Sequence, residues 1–247
     1  MSLYRRAGAP ARELRRFLIA ALHESVPRNH LEDNRLRRRG VAMATLVAAI
    51  ALVAHSLRIP AGDPRFYPAT LALAGTYTIG ALASGRLHLG RAHRRRQGIG
   101  YPVTQSLALG TLLLGIFLAG AGVVAQIPVL RDPIEELLDH ARTGSLPLVL
   151  AITVVNGIAE ELFYRGALYP AVSGKYALAV TAAVYTVVTA AAGIPLLAFA
   201  AAALGLVVGL QRRVTGGVLG PIITHLTWSV GMLFLLPPTL ALFGGGG

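Results

Sequence analysis

The sequence contains no cysteine in 247 residues, and only 14% of its residues are charged. The absence of cysteine excludes disulfide frameworks, thiolate metal sites and cysteine nucleophiles. Soluble domains carry about 25% charged residues, so the scarcity of charge argues against a soluble fold. Acidic residues number 11 against 23 basic ones, and 54% of all residues are hydrophobic. This composition predicts an all-α fold, a multi-pass transmembrane helical bundle.

Long uncharged stretches separate the clusters of charge, and each is close to the roughly 20 residues that a helix needs to cross a bilayer. The fifth and sixth of these stretches are short and are separated by a Gly-Ile-Pro turn, so we expect them to tilt or to pack inside the bundle. About seven spans are predicted within a transmembrane domain at 40–247: approximately 40–58, 67–85, 103–128, 146–168, 176–192, 195–211 and 215–236.

Residues 1–39 form a basic segment ahead of the first span. Apolar residues within it recur at helical spacing, which favours an amphipathic helix lying in the membrane interface; a partly ordered basic tail is the alternative. Because the first apolar stretch begins near Gly40 after this Arg-rich segment, we expect it to remain as an anchor and not to be a cleaved signal peptide. The stripe consists of Leu14, Phe17, Leu18, Ala21 and Leu22.

The basic residues, almost all Arg, lie just outside the apolar stretches. This placement is typical of topology signals and of contact with anionic lipid headgroups, and not of a nucleic-acid surface. By the positive-inside rule, 1–39, 86–101, 169–175 and Arg212-Arg213 face the cytosol. The outer segments are then 59–66, 129–145, the Gly193 turn and the C-terminal tail. With the Arg and Ala richness of a GC-rich genome, we expect a bacterial inner-membrane protein with a cytoplasmic N-terminus. Segment 131–143 should form a short amphipathic helix that starts at Asp132, with Pro133 at its first position.

Carboxylates are absent from the interior of every predicted span except the fourth, which contains Glu160, Glu161 and Arg165. A charged side chain at bilayer depth costs about 3 kcal/mol even on lenient scales, so these residues are candidates for function. Glu161 and Arg165 are four residues apart on one helix face, whereas Glu160 lies about 100° away. Two acids in different surroundings can act as an acid/base pair. A buried polar clamp that holds helices in register is the alternative.

A second polar group lies in the last span, where His225 and Ser229 interrupt an apolar run one helical turn apart. A lone histidine on an apolar face is more often a packing residue than a catalyst. Here Thr224, His225 and Ser229 cluster with Trp228, the only tryptophan of the chain. A site shared by the fourth and seventh spans and a structural role both remain open.

The run Glu160-Glu161-Leu-Phe-Tyr-Arg165 resembles the EExxxR motif of the CPBP family, which includes the Rce1-type CAAX prenyl endopeptidases and the Abi bacteriocin-immunity proteins. The family's third motif, HxxxN or HxxxD, aligns as His225 to Ser229, and its second motif, FxxxH, aligns best as Tyr185 to Thr189. The resemblance covers about residues 145–236. It implies a glutamate-dependent intramembrane endopeptidase acting on membrane-associated peptides or proteins.

By this resemblance Glu160, assisted by the second-motif histidine, would activate water against a peptide carbonyl. His225 and Ser229 would stabilise the oxyanion, and Glu161 and Arg165 would order the site. Two positions depart from the pattern, because Thr189 replaces the histidine and Ser229 replaces the third-motif Asn or Asp. Losing an acid/base partner typically slows a reaction by about 10²–10⁴-fold, so a catalytically impaired membrane scaffold is an alternative function. A small transporter that uses both glutamates as a proton relay is a third.

The family resemblance also brings a catalytic zinc ion into consideration. Only His225 and the two glutamates could bind one, fewer good ligands than a catalytic zinc site normally has, so we predict neither a metal nor a cofactor. The expected partners are anionic lipid headgroups at the Arg clusters and a hydrophobic peptide or membrane-protein substrate.

Overall fold

The computed structural model describes residues 9–23, 34–56, 58–94, 98–172 and 174–244. These residues are helical apart from turns and one short antiparallel β-hairpin, which confirms the predicted all-α class. The elements before the fourth span are α1 Ala9–His23, α2 Arg35–Ser56, α3 Phe66–Ser84, β1 Ala92–Arg94, β2 Gly98–Gly100, α4 Val103–Val124 and α5 Pro128–Thr143. The remaining elements are α6 Leu146–Glu161, a π-helical segment Leu162–Leu168 (the π-turn), α7 Tyr169–Val172, α8 Ala177–Ala190, α9 Pro195–Thr215 and α10 Leu219–Gly244.

Five helices are long and apolar enough to cross a membrane: α2, α4, the continuous helix Leu146–Val172, α9 and α10. The other two predicted spans are also helices. α3 has 19 residues but carries several Thr and Tyr side chains, and α8 has only 14. A multi-pass helical membrane protein is therefore confirmed, while the count of seven crossings stays a prediction.

α1 matches the predicted N-terminal amphipathic helix. Its Phe17 is buried, whereas Leu18 and Ile19 are exposed. The helix packs across α4 and α9. An apolar face that is only partly covered by protein suits a helix at a membrane interface. The rest of the predicted basic segment, residues 1–8 and 24–33, lies outside the described residues.

α5 begins earlier than the sequence pattern predicted. The expected start at Asp132 with Pro133 in the first helical position is wrong, because the helix starts at Pro128 and Pro133 lies inside it. Pro128 occupies the first position instead, where a proline fits because the first amide groups of a helix have no intrahelical acceptor. Ile127 precedes it in an extended conformation and ends the turn that follows α4.

The segments predicted to face the cytosol lie together at one end of the bundle. The Arg37 side chain donates to the Ala83 carbonyl, and the Arg39 side chain donates to that of Ala171. The Arg91 amide donates to the Thr215 carbonyl at the end of α9. We call this end of the bundle the Arg-rich end. Four separate segments of the chain meet there.

The segments predicted to lie outside meet at the opposite end. The Ser145 amide donates to the Tyr67 hydroxyl, and the Gln126 side chain donates to the Phe243 carbonyl. At each end of the bundle, the segments in contact are therefore ones that the charge distribution assigned to the same side of the membrane.

The helix Leu146–Val172 lies centrally, with α6 packed against α3 and α10. α4 packs closely along α10, where glycines replace side chains at the contact. A Cβ atom at Gly110 would lie 2.6 Å from the Thr227 Cβ, and one at Gly231 would lie 2.3 Å from a Leu114 methyl group. This packing fixes the position of α10, which carries His225 and Ser229.

Candidate active site

The candidate site lies where α6 passes into the π-turn. Glu160 and Glu161 are the last two residues of α6, and Arg165 lies within the π-turn. The wider winding is seen where the Tyr169 amide donates to the Tyr164 carbonyl, five residues earlier. π-helical turns are rare and are frequently found at functional sites. A regular helix with 3.6 residues per turn was expected here, so the sequence did not predict this π-helical segment.

Glu161 is the centre of a buried charged group that joins the fourth and last spans. Its Oε1 accepts a hydrogen bond from Arg165 Nη1 at 3.0 Å and lies 2.9 Å from His225 Nδ1. The exposed fraction of the Glu161 and Arg165 side chains is at most 1%. Arg165 Nη2 also donates to the Gly205 carbonyl of α9 at 3.2 Å. The Glu161 carboxylate thus links α6 to α10 through His225 and to α9 through Arg165.

Glu160 has different surroundings, as the sequence suggested. It is half-buried, and its Oε2 accepts a 2.6 Å hydrogen bond from the Tyr185 hydroxyl of α8. No arginine contacts it within hydrogen-bonding distance among the described residues. Its Oε1 has no hydrogen-bond partner in the same part of the chain. Glu160 therefore offers a free oxygen on a partly exposed carboxylate. The neighbouring Glu161 carboxylate is fully buried, with Oε1 bound to Arg165 and His225 and Oε2 without a hydrogen-bond partner.

An aromatic cluster surrounds the two glutamates. The ring of Tyr164 lies edge-on to that of Tyr185 with centroids 4.7 Å apart, and its hydroxyl is 3.0 Å from the Tyr77 hydroxyl. The Arg165 guanidinium lies over the Tyr185 ring, 5.0 Å from its centroid. Gly205 makes room for this contact, since a Cβ atom there would lie 3.2 Å from the Tyr185 ring.

Two predicted site residues make no side-chain hydrogen bond within the described ranges. Thr189 lies one turn beyond Tyr185 on α8 and is half-buried. Ser229 lies one turn beyond His225 on α10, and its Oγ is buried without a partner. The structure therefore brings Glu161, Arg165 and His225 into direct contact, with Glu160 as their neighbour in the chain. It leaves Thr189 and Ser229 unconnected to them by hydrogen bonds.

Two arginines that the sequence analysis did not select hold the π-turn. Arg212 Nε donates to the Arg165 carbonyl at 2.7 Å, and Arg38 Nη1 donates to the Gly166 carbonyl at 3.2 Å. Both arginines are nearly fully buried. They had been assigned to topology signals because they lie beside other arginines at helix ends. Only their three-dimensional position shows that they bind the main chain of the site.

The side chains of the site lack the donor set that a catalytic metal ion needs. A catalytic zinc usually has three protein ligands with free lone pairs. Glu161 Oε1 already binds both Arg165 and His225. Within the described ranges, no group of three or more His, Asp or Glu side chains could hold a metal ion. These residues therefore do not fit a zinc site.

The Glu161–His225 contact determines what the imidazole can do. Glu161 Oε1 accepts from Arg165, so in the contact of the same oxygen with His225 the Nδ1 atom is the donor. The other nitrogen, Nε2, has no hydrogen-bond partner among the described residues. It accepts a proton when the ring is neutral and donates one when the ring is protonated.

Residues 142–231 match the family model described as Type II CAAX prenyl endopeptidase Rce1-like. The matched segment contains all six predicted site residues and confirms the resemblance inferred from the motifs. No curated protein and no solved structure matches the chain.

Proposed function

We propose that the protein is an intramembrane endopeptidase whose activity depends on Glu160, because residues 142–231 match the Rce1-like family model. The substrates are membrane-associated peptides or proteins. The observation that carries this proposal is the contrast between the two glutamates. Glu161 is fully buried and fixed between Arg165 and His225, whereas Glu160 is half-buried, has no arginine partner and keeps Oε1 free of hydrogen bonds from other described residues.

Glu160 is the proposed general base. Its Oε1 accepts a proton from a water molecule as the water oxygen attacks the peptide carbonyl carbon. The carbonyl π-bond opens, and the oxygen becomes an oxyanion. Glu160 then returns the proton to the amine nitrogen as the C–N bond breaks, so that an acid and an amine leave.

His225 and Ser229 are the proposed oxyanion donors. Because Nδ1 already donates to Glu161, His225 can donate from Nε2 only when the imidazole is protonated. The buried Ser229 hydroxyl, one turn further along α10, supplies a second donor. Pre-arranged donors of this type supply a large share of the rate in acyl-transfer enzymes.

Location and lipid contacts belong to the same proposal. We place the protein in a bacterial inner membrane with its Arg-rich end in the cytosol. Exposed cations surround that end and are suited to anionic lipid headgroups. They are Arg35, Arg37, Arg39, Arg86, Arg91, Lys175 and Arg213.

The test uses full-length protein in lipid nanodiscs with fluorophore–quencher peptides rich in Leu and Ala, with and without a C-terminal farnesyl-cysteine. Glu160→Gln keeps the shape of the side chain but removes the base, so cleavage should fall by about 100-fold or more. Glu136→Gln makes the same chemical change at an exposed position on α5 and should leave the rate unchanged.

Two results would overturn the proposal. Cleavage that persists in Glu160→Gln would exclude glutamate dependence. A wild-type protein that is folded and inert toward both peptide types would favour the scaffold function, in which the Glu161 group only holds helices together.

A further inference from the structure

The replacement of the second-motif histidine leaves Glu160 without the partner that the family pattern supplies. Thr189 occupies that position, and its hydroxyl forms no hydrogen bond with any residue that the structure describes. The first position of the same motif, Phe in the family pattern, is Tyr185 here. The departure from Phe adds a hydroxyl group, and that hydroxyl is the group that reaches Glu160.

The Tyr185 hydroxyl is held in place from several sides. Its oxygen lies 2.6 Å from Glu160 Oε2, the range of a strong charge-assisted O–H···O⁻ hydrogen bond. The ring contacts Tyr164 edge-on at a centroid distance of 4.7 Å, and the Arg165 guanidinium lies over it. Tyr185 itself is buried, with 6% of its surface exposed. A side chain packed in this way cannot turn its hydroxyl away without losing these contacts.

We propose that Tyr185 is a positioning residue for Glu160 and takes over the orienting part of the missing histidine's role. By binding Oε2, the hydroxyl fixes the carboxylate plane and leaves Oε1 as the oxygen that receives the proton from water. Tyr185 keeps its own proton throughout, so no additional proton acceptor is required. The inference rests on the proposed peptidase function, but the hydrogen bond itself can be measured without activity.

Tyr185→Phe tests the proposal, with Tyr77→Phe as the matched control. Both changes remove one buried hydroxyl from the same aromatic cluster, but the Tyr77 hydroxyl is bonded to Tyr164 and not to a glutamate. With the quenched Leu/Ala-rich peptides in nanodiscs, Tyr185→Phe should lower kcat by about ten- to a hundredfold, the range for losing one hydrogen bond to a charged group. KM should stay unchanged, since a residue that only positions Glu160 does not bind the peptide. Tyr77→Phe should leave both constants close to wild type.

Infrared spectroscopy supplies the readout that needs no turnover. The carboxylate band that disappears in Glu160→Gln reports on Glu160, and it should shift in Tyr185→Phe but not in Tyr77→Phe. An unshifted band would overturn the positioning role whether or not the protein cleaves peptides. A shifted band together with an unchanged kcat would overturn it while leaving the peptidase proposal intact. A shifted band in a protein that cleaves neither peptide type would support the hydrogen bond and refute the peptidase function.

Discussion

Arg165 is the residue on which most of the buried charge depends. It donates to Glu161 and to the Gly205 carbonyl, and its guanidinium lies over the Tyr185 ring. Arg165→Ala would leave the Glu161 carboxylate buried with His225 as its remaining hydrogen-bond partner. Breaking a buried ion pair in this way lowers the free energy of unfolding by about 3–5 kcal/mol.

The matched variant is Glu160→Ala. It removes a half-buried acid and leaves the Tyr185 hydroxyl without its acceptor, a loss of about 1–3 kcal/mol. Thermal unfolding in detergent should therefore give a clearly lower Tm for Arg165→Ala than for Glu160→Ala. Equal melting temperatures would contradict the division of roles between the two glutamates.

Thr189 allows a test of the family pattern by restoration. It lies one helical turn from Tyr185 on α8, so position 189 shares the face that reaches Glu160. Thr189→His should raise peptide turnover at least about tenfold, because an imidazole can share proton transfer with the carboxylate. Turnover is measured with the same nanodisc assay.

The gain from Thr189→His should vanish in a Glu160→Ala background, since both groups would act on one water molecule. A gain that persists without Glu160 would mean that the new histidine works independently. An unchanged rate in an otherwise active protein would show that position 189 does not reach the water.

At the residue scale, the sequence predicted contacts within one helix and missed those between distant segments. The Glu161–Arg165 pair follows from four-residue spacing alone. The Glu161–His225 contact joins residues 64 positions apart. Their polar character left a site shared by the two spans open, and the family resemblance assigned both residues to it. Tyr185 carried no charge and fitted an apolar span, so nothing in its local pattern indicated that its hydroxyl binds Glu160.

The π-turn is the element that distinguishes the fourth span from a regular helix. Its main-chain carbonyls at Arg165 and Gly166 accept side-chain hydrogen bonds from Arg212 of α9 and Arg38 of α2. These bonds fasten the turn to two neighbouring helices. Because Arg165 lies in the turn and Glu161 directly precedes it, the same bonds fix the geometry of the charged group.

Arg212→Ala should loosen this element, and Arg213→Ala is its matched control. Arg213 is the next residue in the chain but is exposed. Loss of the buried hydrogen bond to the Arg165 carbonyl should by itself lower the free energy of unfolding by about 1.5–3 kcal/mol. Hydrogen–deuterium exchange should rise in the amides of 162–172 in Arg212→Ala only. Equal exchange in the two variants would show that Arg212 does not hold the turn.

Helix boundaries were predicted less well than helix existence. The expected end of the third span at 128 overran the turn after Val124, and α10 extends beyond the predicted 236 to Gly244 through Pro237 and Pro238. Apolar composition continues across both boundaries, so hydropathy alone cannot mark them. The regular helical pattern of α4 stops at Val124, whereas that of α10 continues to Gly244. Hydropathy does not distinguish these two cases.

At the scale of the whole molecule, the distribution of arginine agrees with the two ends of the bundle. All segments predicted to be cytosolic that the structure describes meet at the Arg-rich end, and 129–145 lies at the opposite end. Charge counting and helix packing are independent observations, since one uses loop composition and the other uses contacts. Their agreement supports a chain whose successive loops lie alternately on the two sides of the membrane.

The orientation itself can be tested because the chain contains no cysteine. Single cysteines introduced as Arg91→Cys, Arg213→Cys and Glu136→Cys therefore report only on their own positions, all of which are exposed. In intact bacterial spheroplasts, a membrane-impermeant maleimide should label Glu136→Cys at once. Arg91→Cys and Arg213→Cys should be labelled only after permeabilisation, because the positive-inside rule places them in the cytosol. Labelling of Glu136→Cys only after permeabilisation would reverse the orientation, and the cysteine-free wild type gives the background for all three variants.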